Sequence, residues 1–153
     1  YKGSYENCGR IVKRYSSMPG LDLTEMYLRV AAAFVVGNSD MHLKNFSLIE
    51  NMPGSRIFQL SKAYDMLPVN VIMPEDKEQL ALTINGKKRN IHKKEFRKLA
   101  ESCEIAPKAA ENMIKRICLM EKKLLTQVDS SYLSEDQKLM VKQLIRERIQ
   151  VLL

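Results

Sequence analysis

Gly37-Asn38-Ser39-Asp40-Met41-His42-Leu43-Lys44-Asn45-Phe46 carries the densest chemistry in the chain, and Tyr64-Asp65-Met66 follows it after a turn-rich interval. Upstream, Met26, Val30, Ala33 and Phe34 recur at helical spacing, with Tyr27 beside them, and Gly37 is the stop signal. Downstream, Phe46-Ser47-Leu48-Ile49 alternates as a strand, Met52-Pro53-Gly54-Ser55 is a turn, and Arg56-Ile57-Phe58-Gln59-Leu60 is the return strand. The stretch from 37 to 46 is therefore an irregular loop between a helix and a hairpin. Asp65, set among apolar neighbours, reads as a second, buried acid just past that hairpin.

The remaining pattern is helical. Tyr5 to Ser17 predicts a helix with Cys8, Ile11, Val12 and Tyr15 on one face, broken at Met18-Pro19-Gly20. Asp22, with Glu25 three residues on, predicts the capped start of the next helix. Leu80-Ala81-Leu82-Thr83-Ile84 reads as a third strand ended by the Asn85-Gly86 turn. A helix over Ile91 to Cys103 is anchored by Phe96 and Leu99. Pro107 opens one carrying Met113, Ile117, Met120, Leu124 and Val128, and Ser134 with Gln137 boxes the start of a last one with Val141, Leu144, Ile145 and Leu152. The fold class is mostly α (α+β), with one small β-hairpin near the middle.

With 153 residues and 45% hydrophobic content, the chain supports a single domain, 1–153, with a true core. Its longest apolar run, Val30 to Val36, is far short of a membrane span, and no signal peptide is visible, so the expected setting is cytoplasmic with no membrane partner. The chain opens on Tyr1, and the expectation is a piece of a longer protein. Cys8, Cys103 and Cys118 are odd in number and lack any Cys-x-x-Cys pair. Reduced core thiols are expected, not a disulfide framework or structural zinc. The net charge of +7 concentrates in Lys87, Lys88, Arg89, Lys93, Lys94, Arg97 and Lys98, opposed there by Glu95 alone. That basic stretch is either one solvated helix face or a contact surface for nucleic acid or an acidic protein.

An aspartate, four intervening residues and an asparagine, then a later aspartate, is the layout that phosphoryl transfer uses. That reaction needs a carboxylate beside the incoming hydroxyl, a second carboxylate on Mg²⁺, and an amide oxygen to help complete the metal shell, because hard Mg²⁺ prefers oxygen ligands. Asp40, Asp65 and Asn45 are the candidates, in that order. His42 and Lys44 are placed to face phosphates or the loop's own backbone. Against this stands chance: Asp-x4-Asn is a short pattern, and an aspartate after Asn-Ser could merely make an Asx-turn.

The longer string, Gly37 to Ser47 with Ala63-Tyr64-Asp65-Met66-Leu67-Pro68, closely resembles the C-terminal part of the HipA family, bacterial serine/threonine kinases that act as toxins of toxin–antitoxin modules. The likeness continues through Leu80 to Lys88 and more weakly along the later helices. It implies the helical C-lobe of a protein-kinase-like fold, with ATP and Mg²⁺ as cofactors. Asp40 would be the catalytic base, Asn45 and Asp65 the metal ligands, and His42, Lys44, Asn45, Tyr64 and Asp65 the nucleotide-facing set. The implied partners are a protein substrate (an aminoacyl-tRNA synthetase for some of the family), a HipB-like DNA-binding antitoxin, and DNA indirectly through it.

Two departures qualify the likeness to ordinary protein kinases. No His-Arg precedes Asp40 and no Gly follows Asp65, and the Asp-x-His-x-x-Asn form also resembles lipid kinases. The chain also lacks a Gly-rich phosphate loop and a Val-Ala-Ile-Lys lysine, so this piece alone is expected to be inactive. The competing reading is a catalytically inactive module that binds through Lys87–Lys98.

Overall fold

The computed structural model describes residues 1–153 and is mostly helical with one two-stranded antiparallel sheet. The central element is α2 (Pro19–Val36), which packs against α1 (Tyr5–Tyr15), the second strand of the hairpin and the later helices. Its stripe reads as expected: Met26, Val30, Ala33 and Phe34 are all fully buried. Phe34 and Tyr27 both meet Phe96 edge to face, with centroids 5.4 and 6.5 Å apart. Burying each such ring contributes about 2 to 3 kcal/mol before any gain from ring geometry.

The hairpin is β1 (Leu48–Glu50) and β2 (Phe58–Leu60), with Leu48 opposite Leu60. Its strands are shorter than the alternation predicted. The Glu50 carboxylate closes the connection by accepting from the Gly54 and Arg56 amides at 2.7 and 3.1 Å. A short α3 (Val69–Ile72) follows, then α4 (Lys93–Ser102), α5 (Pro107–Leu119), α6 (Glu121–Asp129) and α7 (Glu135–Leu152). The Ser134–Gln137 capping box and Pro107 at the start of α5 both stand as read from the residues.

Several expectations fail for identifiable reasons. Pro19, with φ suited to a first turn, starts α2 instead of Asp22, so Met18-Pro19-Gly20 is an entry and not only a break. Asp22 lies in the first turn and is buried, accepting from the Ser16 hydroxyl at 2.6 Å and the Leu60 amide at 2.8 Å; Glu25 pairs with Arg29 instead of closing a box. Leu80–Ile84 is no strand. Leu80, Ala81, Leu82 and Ile84 are all fully buried, and the run makes only single bridges, Ser4 with Thr83 and Ile84 with Lys87. A continuous apolar run has no period to distinguish a strand from a buried irregular segment. The helix from Pro107 divides at Met120, and on α1 only Cys8 and Val12 of the named face are buried while Ile11 and Tyr15 are exposed. All three cysteines are buried and unpaired, and burial pushes the Cys8 thiol up to about 11.

Candidate active site

Gly37 ends α2 in the left-handed conformation at φ 77°, and the Asn38 amide closes the end by donating to the Ala33 carbonyl at 2.8 Å. Glycine is required twice over here, because a Cβ would run into Leu144 of α7 as well as strain the backbone. The Asn70 amide donates to the Gly37 carbonyl at 3.0 Å, and the Ser39 hydroxyl donates to Asp76 at 2.7 Å. The loop therefore leaves a rigid helix end braced from behind.

Beyond that brace, polar side chains emerge one by one. Asp40 is half-buried, and its amide donates to the Asn38 side-chain oxygen at 3.1 Å. An Asx-turn does form, but Asn38 makes it, which leaves the Asp40 carboxylate uncommitted to the backbone. Met41 is fully buried and its carbonyl accepts from the Tyr5 hydroxyl at 2.8 Å, pinning the loop to α1. His42 caps a 3-10 turn over Leu43–Asn45: its Nδ1 accepts from the Lys44 amide at 3.3 Å, which leaves Nε2 to carry the ring proton. The Tyr1 ring sits edge-on to His42 at 4.3 Å, and the neighbouring Asp40 carboxylate pushes the phenol's pKa up.

The second segment returns to the first. Asn45, buried, accepts from the His42 amide at 2.9 Å through Oδ1 and donates from Nδ2 to the Asp65 carboxylate at 2.9 Å. Both neighbours are chemically unambiguous, one an N–H and the other a carboxylate, so the amide has a single satisfactory orientation. Asp65 is exposed, not buried as its apolar neighbours suggested, and its backbone is left-handed at φ 58°. A non-glycine residue in that region stores strain, and such residues gather at functional sites. The Tyr64 hydroxyl donates to the Lys44 carbonyl at 2.6 Å and lies 3.0 Å from the Ser47 hydroxyl, a second tie between the two segments. Lys44 itself is exposed.

The donor set bears on Mg²⁺. Asp65 keeps one carboxylate oxygen free of protein partners, and Asn45 Oδ1 keeps its second lone pair. No group of three or more His, Cys, Asp or Glu side chains comes together to cage a metal. Two protein oxygens with the remaining positions left for phosphates and water is how Mg²⁺ is commonly held in phosphotransfer sites. The residues present fit that ion.

A family model described as the HipA-like C-terminal domain matches residues 1–124. The chain belongs to this family. Two proteins of Sinorhizobium fredii, named Putative kinase Y4dM and Putative kinase Y4mE, are 36% identical over 108 residues and 31% identical over 81 residues. These alignments take in 70% and 53% of the chain but only 25% and 18% of the relatives, so the chain spans a small part of their length. The fold is also that of the HipA of Shewanella oneidensis MR-1, solved with HipB and its operator DNA. The TM-score is 0.77 at 16% identity, over 98% of this chain and 35% of that one. In this HipA-like domain α7 lies beyond the matched residues, yet it packs on Gly37 at the root of the loop.

The basic stretch is far less bare than its sequence suggests. Lys87 pairs with Glu95 at 3.1 Å, Lys88 with Glu78 at 3.0 Å, Arg97 with Glu111 at 3.1 Å and Lys98 with Glu101 at 2.8 Å. Lys93 donates to the Leu153 carbonyl at 3.1 Å. Glu78, Glu101 and Glu111, all outside the counted stretch, offset part of its charge, while Arg89, Lys93 and Lys94 have no carboxylate partner. No helix is long and apolar enough to cross a membrane.

Proposed function

We propose that this HipA-like domain is the catalytic-loop lobe of a protein serine/threonine kinase, transferring the γ-phosphoryl group of ATP to a protein hydroxyl. The observation that carries the reading is the convergence of the Asp40–Asn45 loop on Asp65, sealed by the Asn45 Nδ2 to Asp65 bond of 2.9 Å. In this scheme Asp40 orients the acceptor hydroxyl and takes its proton as the new O–P bond forms and the bond to the ADP oxygen breaks. Asp65 and Asn45 would hold Mg²⁺, which supplies charge neutralisation on the phosphates when bound. The exposed Lys44 and the Nε2–H of His42 are available as donors to phosphate oxygens. Tyr64 holds the Lys44 carbonyl through its hydroxyl, and its exposed ring is left to face the nucleotide.

The relatives named as kinases and the fold shared with a HipA support the same reading, and the latter makes a HipB-like DNA-binding antitoxin the partner to test first. The alternative, a binding module using Lys87–Lys98, has a smaller charge to work with, because four of the seven cations there are paired with carboxylates. The test is phosphate transfer from labelled ATP by full-length protein. Asp40→Asn and Asp65→Ala should each lower kcat by at least about a hundredfold, or roughly 2.7 kcal/mol. Variants as active as the parent would overturn the assignment.

A further inference from the structure

We infer that Asn38 is a positioning residue that sets the separation of the two functional carboxylates, an inference that rests on the kinase reading above. Asn38 is 1% exposed and lies immediately past the end of α2. One face of its amide accepts from the Asp40 N–H at 3.1 Å, and the other donates to the Asp65 carbonyl at 2.7 Å. A single buried side chain thus joins the backbone under the proposed base to the backbone under the proposed metal acid, across 27 residues of sequence.

The anchor itself cannot drift. The Asn38 amide N–H is tied to Ala33 at 2.8 Å, and Gly37 is wedged against Leu144. The bond to the Asp65 carbonyl also holds that residue where its left-handed φ of 58° is otherwise disfavoured. Only a side chain with one donor and one acceptor on the same planar group, short enough to sit in this gap, serves both ends. Asparagine is that side chain. Without it, Asp65 is free to relax toward ordinary backbone angles, swinging its carboxylate away from Asn45. Such small displacements of reacting groups are costly in rate even when the fold survives.

The experiment uses full-length protein with Asn38→Ala, Asn38→Leu and Asp65→Ala variants. Mn²⁺ binding in the presence of a non-hydrolysable ATP analogue is followed by electron paramagnetic resonance, and the Mg²⁺ dependence of phosphotransfer is measured in parallel. The expected result is a rise of at least tenfold in the half-saturating metal concentration for both Asn38 variants, with KM for the protein substrate unchanged. Asn38→Leu fills the space that Asn38→Ala empties, so agreement between them separates lost bonds from a cavity. The half-saturation point does not depend on how much of a preparation is folded, so low yield does not obscure it. Metal half-saturation at the parent value in Asn38 variants, while Asp65→Ala loses binding, would overturn the role of Asn38 alone. Unaltered binding in Asp65→Ala would instead overturn the kinase reading on which it rests.

Discussion

At Tyr64 a hydroxyl spans the gap between two segments, donating to the Lys44 carbonyl at 2.6 Å from a ring that is itself exposed. The bond restrains the loop where Lys44 leaves it, while Asp40, Asn45 and Asp65 are held by other contacts. Tyr64→Phe should therefore lower kcat by about three- to tenfold, as expected for a net loss of about 1 kcal/mol, with folding unchanged. Steady-state kinetics with circular dichroism would check both halves of that expectation. A loss as large as that of Asp40→Asn would mean that the hydroxyl meets substrate directly. Residue types named the candidates here, but not each side chain's hydrogen-bond partners. The Tyr64 hydroxyl's hold on the Lys44 carbonyl and the bridge from Asn38 to the backbone at both acids were not legible in the residues. Hydrogen-bond partners across 20 or more residues leave no local signal.

Among the elements, α2 and α7 meet where the loop begins, and Gly37 is the contact. Its positive φ disfavours any Cβ, and Leu144 occupies the space a Cβ would need. Gly37→Ala should destabilise the protein by about 2 to 4 kcal/mol, combining backbone strain with overpacking. Denaturant unfolding would show it, and a change under about 1 kcal/mol would mean that α7 shifts freely. The helix starts and stops were legible because they rest on chemistry within three or four residues: Gly37, Pro107 and the Ser134–Gln137 box all stand. The start at Asp22 was misplaced because its carboxylate serves the Leu60 amide, 38 residues away. Arg148 of α7 gave no warning either. It is buried over the Phe34 ring at 4.5 Å with no acidic partner, and burial lowers its pKa to about 10.

For the whole molecule, the acid response is governed in part by Glu95, whose side chain is fully buried at the start of α4. Burial alone would raise its pKa, but the His92 amide at 2.9 Å and the Lys87 ammonium outweigh that, and the net shift is downward. A carboxyl whose folded pKa lies below its unfolded value contributes stability above the unfolded pKa, near 4.3 for glutamate as a rough figure. That contribution is lost as the pH falls below this value and through the lower folded one. Urea midpoints at pH 7 and pH 3 should therefore differ less in Glu95→Gln than in the parent, and an equal difference would refute the role. Lys88 shows what the local charge count missed: its acid, Glu78, lies on the far side of the buried Leu80–Ile84 run.

The residues alone determined the helical class, most helix ends, the hairpin and the string that places the chain in its family, since periodicity, capping and turn chemistry act over a few positions. Tertiary structure decided the rest. It brought the exposed Asp65 to the buried Asn45, made Leu80–Ile84 an irregular core segment, and paired some of the cations with distant acids. Each of those outcomes depends on which distant groups share a neighbourhood once the chain has closed on itself, and loop closure leaves no mark in local sequence.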